Sequence, residues 1–191
     1  MLMGHYATAV VAYQMTAEKN KKANIWLYLA ASQLLDFAMV AFVVLGIESW
    51  LPQQIGGSLK EVKVDMTYTH DILPVFGWAL AAAALTFLLL KDRYVAMWVG
   101  ALVLGHEVLD LLVGFEHFIF GTETAAVGLG LYHSAPVSGM LIETALCLGI
   151  LLWFFQRRSK TERPISMKMR IALLATVVGG SLSMIPIELM G

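Results

Sequence analysis

Five stretches of this chain are apolar over lengths that match a bilayer: about Ala23–Ile47, Ile72–Leu90, Tyr94–Phe118, Ala135–Phe155 and Met169–Glu188. A helix needs roughly 20 such residues to cross the hydrocarbon core. Of the 191 residues, 59% are hydrophobic and 14% charged, with a mean hydropathy of +0.73. Soluble domains lie nearer one half apolar and about a quarter charged. One soluble core of this size cannot hide so much apolar surface, so the excess is expected to face lipid. The sequence predicts an all-α, polytopic transmembrane bundle forming a single integral membrane domain over 1–191. A sixth segment, about Leu2–Ala17, reads as a short membrane helix.

This composition argues against a secreted disulfide scaffold, a soluble nucleotide-binding domain and a nucleic-acid binder. The lone cysteine, Cys147, sits in an apolar run, so neither disulfides nor thiolate zinc sites are expected. Residues 1–17 have no basic n-region, so no cleavable signal peptide is expected.

Basic residues orient the spans. Alternate connections hold Lys19, Lys21, Lys22, Lys91, Arg93, Arg157, Arg158, Lys160, Arg163, Lys168 and Arg170, eleven of the thirteen Lys and Arg. The positive-inside rule places these in the cytoplasm. The loops at 48–71 and 119–134 then face outward, as does the C-terminus, in the periplasm of a bacterial inner membrane. The first of these loops carries a Gly56-Gly57 turn signal and a mixed Leu59–Met66 stretch readable as a short helix or a strand.

Ionisable groups lie within these spans: Asp36, the trio His106, Glu107 and Asp110, then Glu143, with Glu188 closing the last span. A central Asp costs about 3 kcal/mol on insertion scales. Every Lys and Arg is in a loop or at a span end, so these acids must be protonated or meet something positive. A divalent metal, zinc above all, satisfies both them and the imidazoles. His106 and Asp110, four apart, share a helix face, and His117 is expected near the same stripe. On the predicted topology Asp36, His70, His106, Asp110, Glu143 and His5 occupy one band between the midplane and the outer surface.

Plainer readings stand beside these. Glu143 suits a helix-helix hydrogen bond, and Asp36 a pairing with Gln33 or Ser32. His117, His133 and Glu188 read as interfacial residues. Trp26, Trp50, Trp98, Trp153 and Tyr94 read as an interfacial belt.

Gly4-His5 opening an apolar helix, Leu34-Leu35-Asp36, Tyr68-Thr69-His70 and His106-x-x-x-Asp110 together resemble the membrane-bound metal-dependent hydrolase family typified by the LexA-regulated inner-membrane protein YdjM. The resemblance runs from residue 4 to about 115 and continues more weakly through Gly128–Leu131. It implies a metal and hydrolysis, with distant similarity to zinc-dependent phospholipase C proteins. It adds His5 to a ligand pool of Asp36, His70, His106 and Asp110. The sequence departs from the family in three places. Asp36 lacks the neighbouring Pro, second Asp and His of L-P-D-x-D-H. Asp65 stands where H-R-G-x-T-H-S has its first histidine, and Asp71 replaces its serine. Asp65 is thus a further candidate ligand.

The expected function is a metal-dependent hydrolase with Glu107 or Glu143 as the catalytic base, acting beside membrane lipids on an amphiphilic lipid, ester or lipid-linked phosphate. An ion or proton pathway built from the same acids and histidines is the alternative, although the sequence shows neither broken helices nor repeats. A non-catalytic protein with a structural metal is a third.

Overall fold

The computed structural model describes residues 3–17, 20, 22–51, 58–159, 165–183 and 185–190. Leu2, Lys19, Lys21, Gly56-Gly57, Lys160 and Arg163 lie outside them. The chain is mostly helical: α1 (Gly4–Thr16), α2 (Ile25–Ser32), α3 (Leu34–Val44), α4 (Ile72–Leu90), α5 (Arg93–Val113), α6 (Leu131–Ser134), α7 (Pro136–Ser159), α8 (Met167–Leu182) and α9 (Ile185–Met190).

Three of these, α4, α5 and α7, are long and apolar enough to cross a membrane. That is fewer than the five runs expected, for local reasons. The run 23–47 is broken at Gln33, where α2 and α3 meet at a 56° bend, and counts as a fourth span only if the pair is taken together. The last run divides into α8 and α9. Sixteen residues of α8 reach about 24 Å and thirteen of α1 about 20 Å, short of the roughly 30 Å core. The helix expected to reach Phe118 stops at Val113, because Gly114 turns out of helical geometry (ψ −157). His117 therefore leaves the stripe of His106.

The starts of several helices are written in short polar residues. Asn24 accepts from the Trp26 N–H, Asp92 from those of Tyr94 and Val95, and Ser166 from that of Met169. Asn20 donates to Asp92 (2.8 Å) and the Lys22 ammonium to the Leu90 carbonyl. These bonds bring the α1–α2 and α4–α5 connections to one end of the bundle.

Small residues let α1 sit in the middle. Its Ala7 and Val11 pack with Cys147, Leu151, Phe154, Phe155 and Val177 of α7 and α8. Ala9 and Ala12 pack with Tyr28, Ala31, Val95, Val99 and Leu102 of α2 and α5. At the α4–α5 contact a Cβ on Gly100 would lie 3.2 Å from Ala83 and 3.3 Å from the Ala79 carbonyl, so the backbones approach closely. The opposite face of α4 leaves Leu73, Phe76, Leu80, Leu85, Leu88 and Leu89 exposed. An apolar surface this continuous is what a lipid-facing helix presents.

The two loops opposite the basic connections are not purely irregular. In the first, a 3-10 turn at Leu59–Glu61 precedes β2 (Lys63–Asp65), which pairs antiparallel with β1 (Ser49–Leu51). In the second, β3 (His117–Phe118) pairs with β4 (Ala126–Val127). Glu188 of α9 accepts from Ser58 and the Leu59 N–H, tying the chain's end to the first loop.

Candidate metal centre

Five side chains from four parts of the chain converge where α1, α3 and the start of α4 meet α5. His5 comes from the first turn of α1, Asp36 from the first turn of α3, His70 from the residues before α4, and His106 with Asp110 from α5. Their donor atoms form two overlapping groups, His5–Asp36–His106 and His70–His106–Asp110, each within 4.8 Å. His106 belongs to both. All are buried except Asp36, whose side chain is 36% exposed.

The separations suit a shared cation. His106 Nε2 lies 3.2 Å from Asp110 Oδ2 and 3.7 Å from Asp36 Oδ1; His70 Nε2 lies 3.5 Å from Asp36 Oδ1, and His5 Nε2 3.3 Å from Asp110 Oδ1. Ligands 2.0–2.1 Å from a tetrahedral ion stand about 3.3–3.4 Å apart. Yet His106 Nε2 and both nitrogens of His5 have no hydrogen-bond partner among the described residues. The two Nε2 atoms approach the carboxylates without hydrogen-bond alignment, as donors aimed at a common point do. The rings of His5 and His106 stack 3.6 Å apart at 6°. Buried polar atoms left unpaired are costly, so this donor set fits a metal ion.

Surrounding groups set the imidazoles in the form a metal requires. The Ser32 carbonyl, last in α2, is turned by the break at Gln33 to accept from His106 Nδ1 (2.7 Å). A carbonyl only accepts, so the proton sits on Nδ1 and the Nε2 lone pair faces the carboxylates. His70 reaches the same tautomer indirectly. Its Nδ1 is 2.9 Å from the Thr69 hydroxyl, whose own proton goes to the Glu48 carboxylate (2.8 Å). Glu48 also accepts the Tyr68 and Thr69 N–H groups. Such outer contacts orient metal ligands and raise their basicity. The break also puts Asp36 at the positive end of α3.

The other expected residues are placed differently. Asp65 is exposed and bonds the hydroxyl and N–H of Thr67, outside both groups. Glu143 is buried, but it accepts from the Met3 and Gly4 N–H groups (2.8 and 3.3 Å) and from the Tyr132 hydroxyl. It caps α1 one residue before His5. Glu107, beside His106 in sequence, faces away from the donor groups toward His117, 3.1 Å from its Nδ1.

His117, read from sequence as interfacial, is fully enclosed. Its Nδ1 donates to the His70 carbonyl (2.8 Å), and its Nε2 has no partner among the described residues. The eleven-residue spacing from His106 hinted at this, although a ribbon and not the helix delivers it. Glu48 carried no sequence signal and Thr69 only its place in the Tyr68-Thr69-His70 resemblance, because their shared role arises from a fold across about twenty residues. Asp71, which the family resemblance had marked, binds the Phe118 and Gly121 N–H groups and so holds the second loop over the site. Burial pushes its carboxyl above the ordinary value, against those two bonds.

A cavity of about 270 Å³ opens onto Asp36, His70, Asp110, His117 and Tyr132, with Met39, Val40, Trp50, Met66 and Phe115 as its apolar wall. His5 and His106 are not in its lining. No family model, curated protein or solved structure matches this chain.

Proposed function

We propose that this chain is an inner-membrane, metal-dependent hydrolase acting on a lipid-like substrate from the outer half of the bilayer. The observation that carries the reading is His106: a buried imidazole with its tautomer set by Ser32, its Nε2 without a hydrogen-bond partner among the described residues, and two carboxylates and two further imidazoles around it. Zinc is the ion we assign, on the preference of such His and Asp sets. The spanning arrangement we propose joins α2 with α3 and α8 with α9, giving five crossings with α1 as a short central helix. The basic connections then lie in the cytoplasm and the C-terminus in the periplasm.

When bound, the ion polarises the scissile group and lowers the pKa of a water to about 7. His5, His70, His106, Asp36 and Asp110 are the pool from which three ligands would hold it, leaving a position for water and substrate. The apolar wall excludes bulk water and receives an acyl or alkyl tail. The His70 carbonyl, with the Glu107 carboxylate 3.1 Å from the same nitrogen, keeps the His117 proton on Nδ1, so in this reading His117, a residue of the cavity lining, takes a proton through Nε2. Glu143 serves the site by holding α1. The test is turnover of an amphiphilic ester or phosphodiester by zinc-loaded protein in detergent. Hydrolysis lost with chelator, restored with zinc and missing in His106→Ala supports the reading; metal-bound protein without turnover opposes it.

A second reading has one observation in its favour. The 56° break at Gln33 puts an acid at a helix end within the bundle, as ion pathways do. Proton flux into proteoliposomes, lost in Asp36→Asn, would favour it.

A further inference from the structure

We propose that the cavity takes an uncharged acyl ester or amide of an amphiphile, not a phosphate ester. The inference rests on the hydrolase reading above and names its substrate class.

The charge around the cavity is of one sign. Asp36 and Asp110 line it, and Glu107 stands behind His117. Among the described residues no Lys or Arg lines it, and Lys60 and Lys63 of the adjoining loop are exposed. The stretch 52–57 of that loop reads Pro-Gln-Gln-Ile-Gly-Gly and contributes no cation. Sites that transfer phosphoryl groups surround the equatorial oxygens with Arg, Lys or several metal ions. Here two aspartates already balance one divalent ion, and a phosphate would add unneutralised charge beside a third carboxylate.

Helix ends, the other common phosphate receptors, are taken as well. The first N–H groups of α1 go to Glu143, and α3 has Asp36 in its first turn. At the start of α4 the Leu73 N–H goes to the Ile119 carbonyl and Pro74 has none, while the Asp71 side chain occupies the Phe118 and Gly121 N–H groups of the second loop. These carboxylates and helix ends therefore prefer a ligand that arrives neutral. An acyl carbonyl does so, gaining one negative charge only in the transition state, next to the metal ligands.

The reaction consumes one water. The water oxygen bonds to the acyl carbon, and the bond from that carbon to the alkoxy oxygen or amide nitrogen breaks with its electron pair. One water proton goes to the leaving alcohol or amine. The other leaves the new carboxylic acid for solvent, and the resulting carboxylate is repelled by Asp36 and Asp110.

The test uses full-length, zinc-loaded protein in detergent with two substrates of equal tail length, 4-nitrophenyl decanoate and decyl 4-nitrophenyl phosphate. Rates are normalised to hydroxide-catalysed hydrolysis of each, with His106→Ala subtracted. The expected result is a normalised preference for the acyl ester of roughly 100-fold, the scale of misplaced transition-state electrostatics. Equal or faster phosphodiester cleavage overturns the substrate class and leaves the hydrolase standing. No His106-dependent release from either removes both. Val40→Arg, which puts a cation on the exposed cavity wall, should move the ratio toward the phosphodiester by about tenfold, a shift of roughly 1.4 kcal/mol. An unchanged ratio contradicts the charge argument.

Discussion

Replacing Glu143 separates a helix cap from a catalytic base. Its carboxylate takes the Met3 N–H at 2.8 Å, the Gly4 N–H at 3.3 Å and the Tyr132 hydroxyl. Hydrogen bonds to a charged group contribute about 1.5–3 kcal/mol each, and loss of an N-cap costs about 0.5–2 kcal/mol. The Gly4 bond is long and the Tyr132 hydroxyl can turn elsewhere. Glu143→Ala should therefore cost about 3 kcal/mol. At 2–4 °C per kcal/mol for a chain of this size, Tm should fall by about 6–12 °C. Glu143→Gln keeps an acceptor oxygen and loses only the charge–dipole part, about 1 kcal/mol. Because His5 follows Gly4, the Ala variant should also bind zinc more weakly. Thermal unfolding in detergent and chelator competition read both effects. If Glu143→Ala keeps wild-type Tm and zinc affinity but loses turnover, the carboxylate is a proton acceptor and the capping argument is wrong.

Thr69→Val removes the hydroxyl between His70 and Glu48 and should weaken zinc binding about 10- to 100-fold, measured against a competing chelator. Unchanged affinity would mean that Glu48 does not set the His70 tautomer. Asn20→Ala tests a pH effect. The Asn20 amide, ahead of the Val95 N–H, holds the Asp92 carboxyl below its ordinary 3.8. A depressed folded value stabilises above the unfolded pKa and is lost as pH falls through the folded one. Wild type should thus be more stable than Asn20→Ala at neutral pH, and the gap should close as pH falls below about 4. A gap that widens in acid would contradict the assignment.

The parts of the fold that follow from short-range periodicity were legible in the chain. The apolar runs that became α4, α5 and α7 are continuous over a bilayer's length, enough to outweigh their scattered glycines. The pair His106 and Asp110 needed only the i,i+4 rule, and the structure holds it at 3.2 Å. What escaped depended on backbone geometry or distant contacts. Nothing apolar or polar in Ser32-Gln33-Leu34 announces the break that frees the Ser32 carbonyl for His106. Gly114 alone shortens α5, and its effect was to move His117 onto a ribbon facing Glu107. Glu143 read either as a base or as a helix-helix hydrogen bond, because the sequence says nothing of which N–H groups lie across 140 residues. Asp65 shows the converse: its place in a family pattern suggested a ligand, and an Asx turn with Thr67 uses its carboxylate.

The central claim is that the buried imidazoles and aspartates bind a metal ion, and elemental analysis tests it most directly. Purified full-length protein, exposed to zinc and dialysed extensively, should retain about one equivalent per chain, because the two donor groups share His106. His106→Ala should retain almost none, since His106 belongs to both donor groups, while Asp65→Ala should match wild type. Wild-type protein that retains no metal, or His106→Ala that retains the full amount, would contradict the account.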